Sequence, residues 1–242
     1  MQTDVAEIAP GIYRFSTWVP DIAPPLGFTF NQFLIDAEQP LLFHCGPRAM
    51  YPLVSAALEK VMPIAKLRWI GFGHVESDEC GAMNQWLAAA PNAQVVHGQI
   101  ACMVSLNDLA DRPPRALAHG ETLELGGRRV RYLDTPHVPH AWESGVMYEE
   151  VTSTLFCGDL LAHLGNGPAI TEYSILEPAI AAEEAFQASA LTPSTASTIR
   201  MLAELSPARL AVMHGSSFKG DCAGQLSGLA DYYEKAHAAK GA

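Results

Sequence analysis

Charge is scarce in this chain, and basic charge scarcest of all. Asp, Glu, Lys and Arg make up 17% of 242 residues, with 15 Lys and Arg against 26 Asp and Glu. The formal net charge of −11 leaves little of the cationic surface that a nucleic-acid backbone or an anionic membrane face needs. No apolar run approaches the roughly 18 residues that cross a bilayer. The start, MQTDVAEIAPGIYRF, carries neither a basic segment nor a following apolar stretch, so no signal peptide is expected. Cysteine is sparse too. Cys45, Cys80, Cys102, Cys157 and Cys222 are scattered, odd in number and without a CxxC pair, which argues against a disulfide framework or a zinc knuckle. Reduced thiols in a cytoplasmic protein are the expectation, with no nucleic acid and no membrane among its partners. Repeats, low-complexity tracts and linkers are missing as well. Gly126-Gly127 lacks the company of a Walker or dinucleotide pattern and reads as a turn.

What is plentiful is apolar residue, at 49%. That suffices for one well-buried domain over 1–242 without a second core. Strands are expected at Gly11 to Thr17, Phe28 to Asp36, Leu41 to Cys45, Lys66 to Gly73 and Gln94 to Gly98. Leu53, Val54, Ala57, Leu58 and Val61 recur at helical spacing, and Cys80 to Ala90 reads as a helix ending before Pro91. Glu121 to Asp134 is a hairpin turning at Gly126-Gly127. Gly145 to Glu150 and Thr154 to Cys157 form a second strand pair. Gly165 to Pro178 is a loop. Ala179 to Leu205 is helical in two pieces broken at Pro193, Arg209 to Met213 a buried strand, and Asp221 to Ala239 a closing helix. Mixed strands and helices predict a layered α/β architecture with helices covering the sheets.

The densest chemistry lies in Gly73-His74-Val75-Glu76-Ser77-Asp78-Glu79-Cys80-Gly81. In an extended segment, alternate side chains point the same way, so His74, Glu76 and Asp78 are expected to converge. An imidazole and two carboxylates make a poor core and a good metal site. Three further apolar strands stop at donors of the same kind. RRVRYLDTP runs into His137 and His140, TLFCG into Asp159, and RLAVM into His214. In α/β proteins ligands gather at the carboxyl ends of strands. This set exceeds the three or four donors of one mononuclear site and suits two metals about 3.5–4 Å apart that share a carboxylate. His97, His119, His163 and His237 lack such context and read as surface or hydrogen-bonded histidines. Cys80 and Cys157 read as packing residues.

The motifs HxExDE, TPHVPHAWES, LFCGD and MHGSSF resemble those of the metallo-β-lactamase superfold, and more closely its flavodiiron branch with the related stand-alone oxygen-binding diiron proteins. The resemblance spans roughly Asn31 to Phe218. It implies a four-layer αββα sandwich with the metal site at one edge of the two sheets. Hydrolase members carry HxHxDH, with histidines where this chain has Glu76 and Glu79. A carboxylate at Glu76 makes the site harder and more anionic, favouring iron over zinc.

By that resemblance, His74, Glu76 and His140 bind a first iron, Asp78 and His214 a second, and Asp159 bridges them in an Fe-O-Fe or Fe-OH-Fe centre. Zinc and manganese are the less favoured occupants. His140 is preferred to His137 because Glu143 and Tyr148 stand at the family's offsets from it. His137 is then a hydrogen-bond donor behind a ligand, or a pocket wall. Many relatives place His after the Asp of the first motif; here Glu79 either reaches the second iron or leaves it an open position. His44 takes the place of an Asp often found near the end of the early strand. Trp142, Phe28, Phe30 and Phe218 either wall a pocket for a small apolar gas or belong to the core.

The resemblance implies binding of dioxygen or nitric oxide. The sequence stops 28 residues after His214, too few for the flavodoxin-like domain of flavodiiron enzymes, so no flavin is expected on this chain. Reduction then needs a separate flavoprotein or rubredoxin-like donor. The alternatives are a dinuclear hydrolase of an ester, lactone, thioester or phosphodiester, and a gas-sensing module that reports to a signalling partner. The Trp18 to Phe30 segment fits a homodimer and loop packing equally well.

Overall fold

Strands whose side chains alternate between two apolar layers build the frame. The computed structural model describes residues 1–240. One sheet runs β1 (Thr3–Ala9), β2 (Ile12–Val19), β3 (Phe28–Ile35), β4 (Leu41–Phe43), β5 (Trp69–Gly71), β6 (Gln94–Gly98) and β7 (Arg115–Leu117), neighbours in that order. It is antiparallel from β1 to β4 and parallel from β4 to β7. The second sheet comprises β8 (Thr122–Glu124), β9 (Arg129–Asp134), β10 (Gly145–Glu149), β11 (Thr154–Phe156), β12 (Ile170–Thr171), β13 (Arg209–Ala211) and β14 (Ser217–Lys219). Its order is β12-β14-β13-β11-β10-β9-β8.

Period-two alternation assigns each strand residue to a layer. Phe33 and Ile35 of β3, with Phe43 of β4, face the second sheet, where they meet Tyr132, Met147 and Phe156. Leu34 faces outward with Ile70 and Val95. There it joins Val54 and Leu58 of α1 (Tyr51–Leu58) and Trp86 of α3 (Met83–Ala89). On the other side Leu155 and Leu210 face Ile199, Leu202, Leu226 and Leu229. Those come from α7 (Thr195–Glu204) and α8 (Cys222–Lys240), beside α6 (Leu176–Phe186). The result is helix, sheet, sheet, helix, the αββα order the motifs implied. Among the described residues no helix is long and apolar enough to cross a membrane.

The differences from expectation are local. The stretch after β5 is not extended through Asp78: it bends at Gly73 to Val75 and enters α2 (Ser77–Cys80). The Cys80 to Ala90 helix is interrupted, because α2 ends before α3 begins at Met83. The Gly165 to Pro178 loop contains β12 and the start of α6. Four strands lie outside the expected ones: β1, β7, β12 and β14. A helical stretch was missed as well, made of α4 (Gln99–Ala101), a π-helical turn at Cys102–Leu106 and α5 (Asn107–Leu109). The short strand β7 and the largely exposed edge strand β1 carry little alternation for a sequence reading to detect.

Candidate metal centre

Four strand ends meet at one edge of the sandwich. β5 leads into His74, Glu76 and Asp78; β9 leads into the loop carrying His140; β11 runs to Asp159; and β13 runs to His214. Backbone hydrogen bonds tie these segments together across the two sheets. Gly145 N–H donates to Gly73 O at 2.8 Å, Met213 N–H to Gly158 O at 2.9 Å, and Asn31 N–H to Met213 O at 3.0 Å. Glu143 also braces the loop, its Oε1 accepting Val75 N–H at 3.1 Å.

The side chains fall into two groups. In the first, His74 Nε2 lies 2.8 Å from Glu76 Oε2 and 2.8 Å from His140 Nε2. His140 Nε2 is 3.1 Å from Glu76 Oε2. Asp159 Oδ2 stands 3.7 Å from both imidazole nitrogens. In the second, His214 Nε2 lies 3.2 Å from Asp78 Oδ2 and 3.2 Å from Asp159 Oδ1. Asp159 thus turns one oxygen to each group. His214 is locked by its other nitrogen, with Nδ1 2.7 Å from Thr29 O, which leaves Nε2 facing the carboxylates. Phe28 stacks on its ring at 4.0 Å, and Phe30 meets it edge-on at 5.3 Å.

The electrostatics favour positive charge here. Burial opposes protonation of His74, but Glu79, Glu76 and Asp159 outweigh it and raise its pKa to about 11. Burial also opposes charge on His214, yet Asp159 and Asp78 lift it to about 10. Contacts with His140 and His74 hold Glu76 well below the usual carboxylate range. The donor set fits a metal. His74, Glu76, His140 and Asp159 each offer an atom within 4.8 Å of the others, and two imidazole nitrogens with two carboxylates aimed at one point match a cation that takes mixed nitrogen and oxygen ligands.

The groups open into a cavity of about 410 Å³. Glu76, Asp78, His140, Asp159 and His214 line it, with Ile22, Phe28, Leu161 and Phe186 among its apolar walls. Of the four pocket candidates, Phe28 alone lines it. Trp142 is 55% exposed and lies elsewhere, while Phe30 and Phe218 are buried in the apolar layers. His137 neither walls the cavity nor backs a ligand: it is exposed, at φ +63°, with its N–H donated to Ala141 O. His44 is buried at the end of β4, with Nδ1 3.1 Å from Asn31 O. Glu79 is fully buried and turned away from the cavity, toward His74 and His44. His97 and His163 are buried and hydrogen-bonded, His97 Nδ1 accepting Gly98 N–H at 2.7 Å and His163 Nε2 accepting Ser216 N–H at 2.9 Å; burial drops the pKa of His97 to about 4. The bracing by Glu143 leaves no mark in the sequence beyond its offset from His140. Leu161, Ile22 and Phe186 had no signal beyond being apolar.

The family model described as ODP family beta lactamase matches residues 28–215. The chain belongs to that family. Rubredoxin-oxygen oxidoreductase of Megalodesulfovibrio gigas is 24% identical over 225 residues, covering 87% of this ODP-family chain and 55% of that protein. Among solved structures, rubredoxin oxygen:oxidoreductase from Desulfovibrio gigas superposes with a TM-score of 0.82 at 18% identity, covering 96% of this chain and 62% of that one. The metal-soaked Flv1 flavodiiron core from Synechocystis sp. PCC6803 gives 0.79 at 20% identity, covering 98% and 61%. At these identities the structural likeness is one of fold. The chain spans little more than half the length of the curated relative.

Proposed function

We propose that this chain is a non-haem diiron protein that binds dioxygen or nitric oxide and reduces it when a separate electron donor is supplied. The observation that carries this reading is Asp159, whose Oδ2 lies 3.7 Å from His74 Nε2 and His140 Nε2 while its Oδ1 lies 3.2 Å from His214 Nε2. A carboxylate so placed suits two cations about 3.5–4 Å apart. His74, Glu76 and His140 would hold the first iron and Asp78 and His214 the second, with Asp159 reaching both groups. The second position would have fewer protein donors, which would leave room there for a gas.

Carboxylate-rich ligation supports iron over zinc or manganese. When bound, a pair of ferrous ions supplies the electrons that a diatomic ligand draws on. The protein supplies the rest. Thr29 O orients His214, Glu143 fixes the loop ahead of Glu76, and Phe28 and Leu161 keep water from one side of the cavity. The relative's name, rubredoxin-oxygen oxidoreductase, supports this substrate class and a rubredoxin-like or flavoprotein donor. A diiron domain working in the cytoplasm completes the reading. The test is anaerobic purification, metal counting, and oxygen titration followed by absorbance. Two irons per chain and a new near-ultraviolet to visible band on exposure to oxygen are expected; a colourless, air-indifferent protein would sink the proposal.

One observation favours a second reading. A cavity of about 410 Å³ lies in the range of small-molecule sites, about 300–1,000 Å³, and exceeds what a diatomic needs. A dinuclear hydrolase would use that space for an ester or lactone. Two zincs per chain together with turnover of a model ester would favour it.

A further inference from the structure

Glu79 is the residue of the HxExDE motif that does not face the cavity. It sits beside Asp78 in the first turn of α2. Neighbours on a helix diverge by about 100°, so with Asp78 toward the cavity Glu79 is directed into the interior. Its carboxylate is fully buried, a position that is costly unless the charge is paired and hydrogen-bonded. Hydrogen bonds reach Oε2, and Oε1 is met by the ionic contact with His74. Oε2 accepts the N–H of Gly73 through a short contact and that of His74 at 3.1 Å. Oε1 lies 3.3 Å from His74 Nδ1, and Oε2 lies 3.6 Å from His44 Nε2.

The surrounding backbone is shaped for this carboxylate. A Cβ on Gly73 would stand 2.9 Å from Oε2, and one on Gly158 would stand 3.3 Å from Oε1. Those glycines belong to the segments that deliver His74 and Asp159. On the far side His44 is fixed at φ +67°, with Nδ1 held by Asn31 O.

An anionic acceptor at Nδ1 draws the ring proton of a metal-bound imidazole to that nitrogen and leaves the lone pair on Nε2. Nε2 is the atom that faces Glu76, His140 and Asp159. We infer that Glu79 is a positioning residue for the first metal and not a ligand of the second. It holds His74 in the tautomer and orientation that bind, while His44 closes the other side of its pocket. This inference rests on the dinuclear reading above.

Zinc(II), being diamagnetic, is the probe. In Glu79→Gln the amide can turn its NH2 toward Nδ1 and drive the ring proton to Nε2. Calorimetric titration of the metal-free chain should then show one site weakened by about 10–100-fold, the other unchanged, and the same loss when the second site is disabled by Asp78→Asn. Equal affinities in Glu79→Gln and wild type would overturn the inference, as would a loss that vanishes in the Asp78→Asn background. Proton–nitrogen correlation spectra of the zinc-loaded unmutated protein should place the His74 ring proton on Nδ1. A proton on Nε2 would overturn it without recourse to any variant. An unmutated chain that takes one zinc counts against the dinuclear reading alone, and the loss of that zinc's affinity in Glu79→Gln still decides the role of Glu79.

Discussion

Asp159 is the residue on which the two halves of the site meet, because its two oxygens point to different imidazoles. Asp159→Asn keeps the shape but replaces one oxygen with a nitrogen that cannot ligate. Metal should fall at both positions, by at least the about 10–100-fold lost when an outer partner of a ligand is removed. Elemental analysis after gel filtration checks this; full occupancy would remove the bridge. A second contrast concerns the two histidines of TPHVPH. His140 Nε2 stands 2.8 Å from His74 Nε2, whereas His137 is exposed. His140→Ala should therefore lose most of its metal and His137→Ala retain it, by the same measurement. The donors that converge on the cavity were legible in the sequence because each follows an apolar strand within a few residues. The direction of Glu79 was not, because an extended reading of HxExD misses the onset of α2. Glu76 is indeed extended, at φ −134° and ψ 158°, but Asp78 reaches the site from the helix that follows. The two positions that depart from the resembled motifs, Glu79 and His44, face each other in the interior, a pairing that no sequence spacing reveals.

At the scale of elements, the strands with clear apolar alternation and Gly-marked turns were readable. The hairpin of β8 and β9 turns at Gly126 and Gly127, both with φ near +75°, where only glycine is unstrained. Pairing of β10 with β11 followed the same logic, but what holds their turn did not show in the sequence. Glu149, fully buried, accepts the N–H of Val151 at 3.2 Å and of Thr152 at 2.8 Å, and faces Arg128 at 3.3 Å. Since β10 lies between β9 and β11 and each leads to a site residue, this carboxylate anchors the far end of the strands that carry His140 and Asp159. Glu149→Ala strips those donors of their acceptor and should cost about 1.5–3 kcal/mol, the scale of hydrogen bonds to a charged group. Urea unfolding measures it; a change within a few tenths of a kcal/mol would mean that water takes over the acceptor role.

Across the whole molecule, the site is assembled from both sheets. His74, Glu76 and Asp78 follow β5 of the first; His140, Asp159 and His214 follow β9, β11 and β13 of the second. Between the sheets lies the apolar layer in which Phe156 meets Phe33 at 5.6 Å and Phe43 at 5.4 Å between ring centres. Metal bound at the edge would therefore clamp two layers otherwise joined mainly by side-chain packing, and unfolding would have to release it. A ligand that binds only the folded state stabilises by mass action, about 4 kcal/mol at a free concentration a thousand times Kd. For a chain of this size that corresponds to about 8–16 °C in Tm, at about 2–4 °C per kcal/mol. Melting the metal-free chain with and without ferrous iron under anaerobic conditions should show that rise. Asp159→Asn should lose most of it, because the shared carboxylate is what makes the clamp span both groups of donors. If iron leaves Tm unchanged in the unmutated chain, the donors do not close on metal in the folded state.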